Sequence, residues 1–340
     1  AAGDGVDIVE YVQPVTQTSV FPFNDPEASK QWHYYNPGTK AGTVAGSDIN
    51  AVPAWVLTTG RPDVIVAISD GGLQRNHPDM AQNIWLNQAE VNGKPGVDDD
   101  GNGYVDDIYG FNFVVGPDGY SMKGTIEPGD HGMHVGGTVA AVNNNGIGVC
   151  GIAGGDGSPD SGVRLMSTQT SGGSAYIGAA FVYAADNGAV LINCSWTIES
   201  ATSTPESIVT GINYFNECAG IDPDTKAQTG PMAGGLCIFA AGNDARSTNS
   251  YPAMDETVMA VASIGADFKR AYYSNYGSWV DITAPGGDAQ KGFNIYSTLP
   301  EDSYGSMQGT SMACPHVTGV AALVVSQFGG PGFTRQNLID

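Results

Sequence analysis

The sequence is poor in charge, above all in positive charge, and in long apolar runs. Only 14% of the 340 residues are charged, and 13 Lys and Arg stand against 35 Asp and Glu, for a net charge of −22. Because this excess repels phosphates, we expect no nucleic acid and no anionic membrane as partner. We also expect no membrane-spanning segment, and no basic start followed by an apolar stretch marks a signal peptide.

Cysteine is scarce as well, and its spacing excludes the usual zinc sites. The five cysteines are Cys150, Cys194, Cys218, Cys237 and Cys314. Three of them lie in apolar or motif stretches, where a buried thiol is usual. Cys218 and Cys237 flank the polar loop 219–235 and are the best disulfide candidates, and a bridge there would indicate an oxidising compartment. The odd total leaves at least one thiol free.

The most informative stretch is Gly309–His316, with the sequence GTSMACPH. It places Ser311 where a loop turns into a helix, beside small residues that let a substrate backbone come close. A serine hydroxyl is a poor nucleophile unless a neighbouring base takes its proton. Taken alone, Ser311 could equally be a helix N-cap, so a catalytic role requires a histidine and an acid elsewhere in the chain.

An acid and a base are both present. Asp70 closes the apolar run 64–69 and is followed by two glycines, a pattern that predicts a buried parallel strand with Asp70 at its carboxyl end, where open α/β sheets bind ligands. His131 begins a run of small and apolar residues that predicts a packed helix. Alone, the two would be interpreted as a turn residue and a surface histidine. The chain order Asp, His, Ser is one in which this catalytic triad occurs.

A fourth motif, Ala240–Asn243 (AAGN), follows the predicted strand 236–240. By itself Asn243 would be interpreted as a turn residue. The four motifs together, in this order, resemble those of the subtilisin-like serine peptidases (subtilases). The acid motif continues with His77–Asp79, the histidine motif is His131–Thr138, and the serine motif matches without a gap. The resemblance extends from about residue 24 to the C-terminus.

The resemblance implies a mechanism for each motif. Ser311 would attack the scissile carbonyl, His131 would take its proton and give it to the leaving amine, and Asp70 would hold the imidazole in the useful tautomer. The side chain of Asn243 and the backbone N–H of Ser311 would bind the oxyanion. We therefore expect an endopeptidase that works through an acyl-enzyme intermediate.

Three positions depart from the family pattern: Gly71, Met133 and Gly136. Gly71 has no hydroxyl to hydrogen-bond the carboxylate of Asp70, so other donors must orient that group, and the sequence suggests no physical effect of Met133. A catalytically silent fold used for binding, and an esterase or peptide ligase with the same triad, remain the alternatives to an endopeptidase.

The resemblance also implies that a peptide binds as an added strand between two backbone segments. The candidate substrate-binding residues are Ser195, Trp196, Thr197, Gly172 and Gly242. Thr197 stands where the family usually has glycine. Its β-branched side chain should shrink or reshape the pocket for the residue before the cleaved bond.

A second site is visible independently of the triad, in the acidic loop 98–107 (DDDGNGYVDD). The expected oxygen ligands are Asp98, Asp100, Asn102, Asp106 and the backbone carbonyl of Tyr104. Their spacing, with glycine at the sixth position, follows the first part of an EF-hand loop, but Tyr109 replaces the glutamate at the twelfth. A similar insertion occurs in some bacterial subtilases. We predict structural calcium here, with an acidic surface turn as the alternative.

Predicted strands and helices alternate along the chain. Strands are predicted around 163–166, 190–194, 236–241 and 258–264, and helices at 48–55 and 175–187. Such alternation predicts an α/β fold, a mostly parallel central sheet with helices on both faces, in the three-layer α/β/α arrangement of subtilisin. We expect one peptidase domain at 24–340. Residues 1–23 are expected to be a propeptide-derived tail or an N-terminal extension, because Val6–Pro14 resembles the end of a subtilase propeptide.

The family resemblance also implies a setting. We expect a processed or trimmed form of a secreted or cell-surface zymogen. It would act on protein or peptide substrates, have its own propeptide as a partner and be monomeric.

Overall fold

The computed structural model describes residues 21–340, so the propeptide-like segment Val6–Pro14 lies outside the described residues. The strands are β1 (Ile65–Asp70), β2 (Gly110–Val115), β3 (Met122–Gly124), β4 (Arg164–Gln169), β5 (Ala189–Cys194), β6 (Leu236–Ala240), β7 (Met259–Ile264), β8 (Ile282–Pro285), β9 (Ile295–Leu299) and β10 (Ser303–Met307). The α-helices are α1 (Ala51–Ala54), α2 (Gln88–Val91), α3 (Asp130–Ala140), α4 (Ile177–Asp186), α5 (Glu206–Cys218), α6 (Thr310–Phe328) and α7 (Arg335–Ile339).

Eight of the strands form one sheet in the order β3-β2-β4-β1-β5-β6-β7-β8. The pairs from β2 to β8 are parallel, and β3 runs antiparallel to β2 at the edge. The other two strands, β9 and β10, form an antiparallel hairpin. Because β1 lies between β4 and β5, Asp70 at its carboxyl end is flanked by the residues that follow those two strands.

The strand β1 shows why the sheet is covered on both faces. Val66 and Ile68 belong to the core cluster that contains the apolar residues of α3 and α6, whereas Ala67 belongs to the cluster that contains those of α4 and α5. Successive side chains of a strand point to opposite faces, so a strand without polar alternation must be buried on both. The predicted three-layer α/β/α fold is therefore confirmed.

Aromatic packing stabilises the layer of α4 and α5. Phe181 of α4 stacks against Phe239 of β6 with ring centroids 6.3 Å apart, and both side chains are fully buried. Truncating a phenylalanine in such a position to alanine typically costs about 3–5 kcal/mol. Phe239 also contacts the indole of Trp196 edge-on, at 5.1 Å between centroids, so this core extends to the residues that follow β5.

The expectation that no apolar segment is long enough to span a bilayer is wrong for α6. This helix has 19 residues and a mean hydropathy of 1.2 over an 18-residue window. By length and composition alone, it could cross a membrane. Glycine, serine and threonine interrupt its apolar run in the sequence without lowering the average below that value. In the structure, 72% of an 18-residue window of this helix is buried inside the protein, as is usual for a core helix.

The proposed disulfide between Cys218 and Cys237 is also not formed, and all five cysteines are free thiols. Cys237 lies within β6 and is fully buried in the core, whereas Cys218 is the half-buried last residue of α5. Backbone hydrogen bonds close the loop 219–235 instead: Gly234 N donates to Ala219 O at 2.9 Å and Gly235 N to Phe215 O at 3.1 Å.

Candidate active site

The four candidate catalytic residues all lie at or just beyond the ends of elements of the main domain. Asp70 is the last residue of β1, His131 and Ser311 lie in the first turns of α3 and α6, and Asn243 follows β6. Both helices pack on the same face of the sheet and on each other. Carboxyl ends of parallel strands share one edge of the sheet, which is where α/β folds build their ligand sites.

Asp70 and His131 are in direct contact. Oδ1 of Asp70 lies 2.7 Å from Nδ1 of His131, and it also accepts a 2.6 Å hydrogen bond from the backbone N–H of Gly71. Asp70 is 1% exposed, whereas the His131 side chain is 44% exposed. Gly71, which cannot offer a hydroxyl, thus orients the carboxylate with its main chain.

The contact with the carboxylate also sets the protonation of His131. Nδ1 carries the proton that it donates to Asp70, so Nε2 is the basic nitrogen of the neutral ring. Burial is the largest single influence on the pKa of His131 and lowers it, but the charge of Asp70 and the hydrogen bond to it together outweigh burial, and the pKa is raised above 6.5. Asp70 therefore stabilises the imidazolium form that a general base must pass through.

Ser311 is half-buried, and its hydroxyl contacts the main chain of the residue that follows β5. Oγ donates to the carbonyl oxygen of Ser195 at 3.0 Å, and the structure gives no hydrogen bond between Ser311 and His131. Catalytic hydrogen bonds are often long or misaligned without substrate, so this geometry does not exclude proton transfer between the two. The backbone N–H of Ser311 has no partner among the described residues, as is usual in a first helical turn.

Asn243 is held by the residue before Ser311. Its Oδ1 accepts two hydrogen bonds from Thr310, one from N and one from Oγ1, each 2.9 Å long. Its Nδ2 has no partner among the residues described. Gly309, at φ 148°, lies beside this amide, and a Cβ there would sit 3.5 Å from Nδ2. The amide group is thus free to donate in front of the first turn of α6.

Met133, which departs from the family pattern two residues after His131, has a packing role. Its side chain is fully buried, and its sulfur accepts the backbone N–H of Gln74 at 3.0 Å. Its carbonyl oxygen accepts a 2.8 Å hydrogen bond from Thr298 in β9. Met133 therefore ties α3 to the loop after β1 and to the β9–β10 hairpin.

The candidate substrate-binding residues follow the strands on either side of β1. Ser195, Trp196 and Thr197 follow β5, and Gly172 follows β4 at φ 117° with open space where a Cβ would be. The indole of Trp196 donates to Ser69 Oγ at 3.2 Å, next to Asp70. Gly242 precedes Asn243 at φ 97°, and a Cβ there would lie 2.5 Å from the side chain of Asn275.

The acidic loop brings three carboxylates together. Ligand oxygens of Asp98, Asp100 and Glu90 all lie within 4.8 Å of one another. Backbone N–H groups of the loop donate to all three, for instance Gly103 N to Asp98 Oδ2 at 2.9 Å and Asp99 N to Glu90 Oε1 at 2.7 Å. None of the three has a Lys or Arg within ion-pair distance in the described part of the chain. Carboxylates crowded in this way repel unless a cation neutralises them.

Other residues of the loop hold its shape. Both carboxylate oxygens of Asp106 accept from the backbone N–H of Gly96, and Asp106 is outside the three-carboxylate group. Asn102 donates to Asp100 and to the buried Asp107. Sequence reasoning missed Glu90, because a single glutamate eight residues before the loop carries no motif, and it also missed the structural role of Asp107.

A second pair of carboxylates also escaped sequence reasoning. Asp79, the last residue of the His-Pro-Asp segment, is fully buried and accepts from Asn145 Nδ2 and Val149 N, each at 2.8 Å. Burial, above all, raises its pKa to about 7. Asp25 is 5% exposed and accepts from Asn144 N at 2.8 Å in the same loop. Two buried acids that bind the same loop and raise each other's cost of ionisation require a proton or a cation for compensation.

Comparison with known protein families decides the class of this fold and site. The model of the subtilase family matches residues 61–338, which include all four motifs. The chain belongs to the subtilase family. This subtilase is 34% identical to the thermophilic serine proteinase of Bacillus sp. (strain AK1) over 81% of its own length and 55% of that protein. It is 33% identical to thermitase from Thermoactinomyces vulgaris over 82% of this chain and 80% of thermitase.

Similarity to a further relative and to a solved structure supports the same family. The chain is 32% identical to halolysin from Haloferax mediterranei over 94% of this chain and 50% of halolysin. It thus spans about half the length of several curated relatives that it matches. Among solved structures, a protease from Pseudoalteromonas arctica PAMC 21717 superposes with a TM-score of 0.63 at 29% identity, covering 88% of this chain and 86% of that one.

Proposed function

We propose that this subtilase is a serine endopeptidase in which Ser311 is the nucleophile, His131 the general base and Asp70 the group that orients the base. The observation that carries the proposal is the 2.7 Å contact between the buried carboxylate of Asp70 and Nδ1 of His131. Burying the carboxylate of Asp70 costs stability through desolvation, and its contact with a half-exposed imidazole has no evident structural purpose. In a peptidase family, such a contact prepares the imidazole to act as a general base.

The residues divide the work of acyl transfer. The hydroxyl proton of Ser311 passes to Nε2 of His131 as Oγ attacks the peptide carbonyl, and the imidazolium then protonates the leaving amine. Water then attacks the acyl-enzyme while His131 takes its proton. The imidazolium returns this proton to Ser311 Oγ as the carboxylic acid product leaves. The hydroxyl of Ser311 must first leave the carbonyl of Ser195, from which it is 3.0 Å away before substrate binds.

Asn243 and the backbone N–H of Ser311 form the proposed oxyanion hole. Thr310 occupies Oδ1 of Asn243 with two donors, which leaves Nδ2 free to donate. The N–H of Ser311 belongs to the first turn of a long helix, where the helix dipole also favours negative charge. Both donors are thus in place before the oxyanion develops.

The peptide would add as a strand between the segment of Gly172 and the segment of Ser195 to Thr197. Backbone groups on both sides of Asp70 would pair with it. Gly242 allows the backbone before Asn243 to pack closely on Asn275, because a Cβ at this position would clash with that side chain. Thr197 and Trp196 then shape the pockets, so they would decide which side chains the enzyme accepts.

Calcium is the proposed ion of the acidic loop. Hard oxygen ligands and six to eight of them are what calcium prefers. Asp98, Asp100 and Glu90 supply uncompensated carboxylates, and Asn102 and the carbonyl of Tyr104 are candidates for further oxygens. The carboxylate of Asp106 accepts from Gly96 N instead, so Glu90 replaces Asp106 among the proposed calcium ligands. The ion would hold the segment between the catalytic acid and base.

The experiment that tests the activity combines labelling with hydrolysis. A fluorophosphonate probe should label the wild-type chain at Ser311 and leave Ser311→Ala unlabelled, while cleavage of a peptide library should stop in the same variant. Labelling without cleavage would indicate a binding protein on a catalytic fold. Hydrolysis of simple esters without peptide amides, or religated products, would instead indicate an esterase or a ligase.

We further propose a secreted or cell-surface, monomeric enzyme that is made as a zymogen. The support is the family membership, the net charge of −22 and the acidic loop suited to calcium-rich surroundings. Halolysin and thermitase are relatives over most of this chain. Expression of the precursor with cell fractionation and N-terminal sequencing tests the location and the processing site.

A further inference from the structure

Pro315 removes a helical hydrogen bond at the proposed nucleophile. It lies within α6, four residues after Ser311. In an α-helix the N–H of residue i+4 donates to the carbonyl of residue i, but proline has no N–H. The carbonyl oxygen of Ser311 therefore lacks its regular helical donor at the residue whose hydroxyl and N–H would perform the reaction.

The side chain of Ser195 supplies the missing donor. Its Oγ donates to the carbonyl oxygen of Ser311 at 2.9 Å, while Ser311 Oγ contacts the carbonyl oxygen of Ser195 at 3.0 Å. Each serine thus uses its hydroxyl on the carbonyl of the other. This reciprocal pair joins the proposed substrate strand to the first turn of α6.

A buried relay fixes the direction of these hydrogen bonds. The hydroxyl of Thr318, two turns along α6, lies 2.9 Å from Asn193 Oδ1 and 3.1 Å from the carbonyl oxygen of Cys314, so its one proton is shared between these acceptors. Asn193 Nδ2 donates to Ser195 Oγ at 2.9 Å. Since Ser195 Oγ accepts from Asn193, its own proton is available for Ser311. Asn193 and Thr318 are fully buried and Ser195 is 3% exposed, so water does not compete.

We propose that Ser195 is a positioning residue for Ser311, acting through its side-chain hydroxyl and distinct from the main-chain role in substrate pairing. The Thr318, Asn193 and Ser195 relay fixes the carbonyl of Ser311 and thereby the orientation of its N–H and Oγ. This inference rests on the proposed function, because it concerns the same nucleophile. A misplacement of about 1 Å in such a group can cost about 100-fold in rate.

The test compares Ser195→Ala with a matched serine-to-alanine control in α6. Ser326 is also buried, and its Oγ donates to the carbonyl of Ala322 at 2.7 Å, far from the first turn of α6. Ser195→Ala should lower kcat for a peptide amide about tenfold to 100-fold. KM should stay within about twofold because the main chain of Ser195 is retained, and Ser195→Thr should restore kcat.

Ser326→Ala should leave kcat unchanged. The acid limb of the pH profile should be the same in Ser195→Ala and wild type, since the pair of Asp70 and His131 is untouched. If Ser195→Ala fails to fold by circular dichroism, Thr318→Val carries the test, and a lower kcat at constant KM is expected. An unchanged kcat in the folded variant, a rise in KM alone, or an equal loss in Ser326→Ala would each overturn the inference.

Ser311→Ala, measured in parallel, separates the two proposals. Full activity in Ser311→Ala would refute the proposed function itself. Loss of activity in Ser311→Ala together with wild-type kcat in Ser195→Ala would leave the peptidase intact and refute the role of Ser195 alone.

Discussion

Thr310 donates two hydrogen bonds to a single atom, Oδ1 of Asn243, through its backbone N and its Oγ1 at 2.9 Å each. An amide whose oxygen is occupied in this way cannot turn over without losing both bonds. Nδ2 is therefore fixed on the opposite side, where no described residue uses it. The side chain next to the nucleophile sets the polarity of the oxyanion donor.

Replacing Asn243 should slow turnover without affecting the fold. Loss of one oxyanion donor typically costs roughly 100-fold to 1,000-fold in kcat. We expect Asn243→Ala to show this loss with little change in KM or melting temperature. Asn243→Asp keeps the shape but places an acceptor in front of the oxyanion, so it should be at least as slow. A kcat of wild-type size in Asn243→Ala would remove this residue from the mechanism.

The rate should fall in acid with an apparent pKa above 6.5. His131 acts as a base only when neutral, and its pKa is raised by Asp70 against the effect of burial. As the pH falls through that raised pKa, kcat/KM should decline in proportion to the neutral fraction. In Asp70→Asn the residual activity should decline at lower pH, because the stabilising charge is gone. An acid limb at or below 6.5 in the wild type would contradict this assignment.

Removing calcium should destabilise the chain, and Glu90 should be part of the reason. A ligand at 100 times its dissociation constant stabilises the native state by about 2.7 kcal/mol. We expect EDTA to lower the melting temperature of the wild type, measured by calorimetry in the inactive Ser311→Ala background. Glu90→Gln should lower the melting temperature in calcium and reduce the further effect of EDTA.

Glu199→Gln is the matched control, because this exposed glutamate makes the same change in charge away from the loop. It should respond to EDTA as the wild type does. If the wild type melts at the same temperature with and without EDTA, the acidic loop is a surface turn and not a calcium site.

Three buried histidines should make the fold sensitive to mild acid. Burial lowers the pKa values of His134 and His316 to about 4 and that of His33 well below 6.5. The unfolded chain therefore binds protons between pH 6.5 and 4 that the folded chain does not, so stability is lost as the pH falls. From a pKa of about 4 folded and 6.5 unfolded, His134 and His316 would each contribute a loss of about 2 kcal/mol by pH 5, and His33 adds a loss of the same sign.

The measurement compares urea unfolding of His131→Ala with that of His131→Ala/His316→Gln at pH 7 and pH 5. The raised pKa values of Asp79 and Asp25 act in the opposite direction to those of the histidines, but they act in both proteins and cancel in the comparison. Nδ1 of His33 donates to Nε2 of His316 at 2.8 Å in one buried cluster, so protonation of His316 at that nitrogen breaks their contact. If both proteins lose the same unfolding free energy between pH 7 and pH 5, the ring of His316 is not neutral and buried as described.

Thr197→Gly should widen the specificity of the enzyme. The β-branched side chain is half-buried at the end of the proposed substrate strand, where a smaller residue leaves more room. We expect cleavage profiles of the variant to gain bulky residues before the scissile bond, with kcat/KM for them rising by about tenfold for each extra methylene or two accommodated. Identical profiles for variant and wild type would place Thr197 outside the pocket.

Much of the fold followed from the sequence because its buried strands have few polar residues. The run ending at Asp70 and the stretch before Asn243 predicted β1 and β6 to within a residue or two. The hairpin of β9 and β10, with Ser303 to Met307 mixing glycine, serine and tyrosine, gave no such signal. Its register depends on α3, onto which it packs, and packing between distant segments is not visible in a local pattern.

The site could be predicted only where a motif names its residues. Ser311, His131 and Asp70 stand in recognisable stretches, whereas the roles proposed for Glu90 and for the hydroxyl of Ser195 depend on contacts made by the folded chain. The disulfide prediction failed for the same reason. Flanking a loop places two cysteines near each other along the chain, but Cys237 faces the core of the sheet and backbone hydrogen bonds close the loop without it.

The burial of α6 has a consequence for the lifetime of the enzyme in solution. Its first turn carries the proposed nucleophile, and 72% of an 18-residue window of the helix is inside the protein, so Ser311 cannot be displaced by fraying of a peripheral element. A molecule that opens far enough to offer its core strands to a protease has also dismantled its own catalytic apparatus. Self-digestion would then be a reaction between an intact enzyme and an opened neighbour, second order in protein and suppressed by dilution.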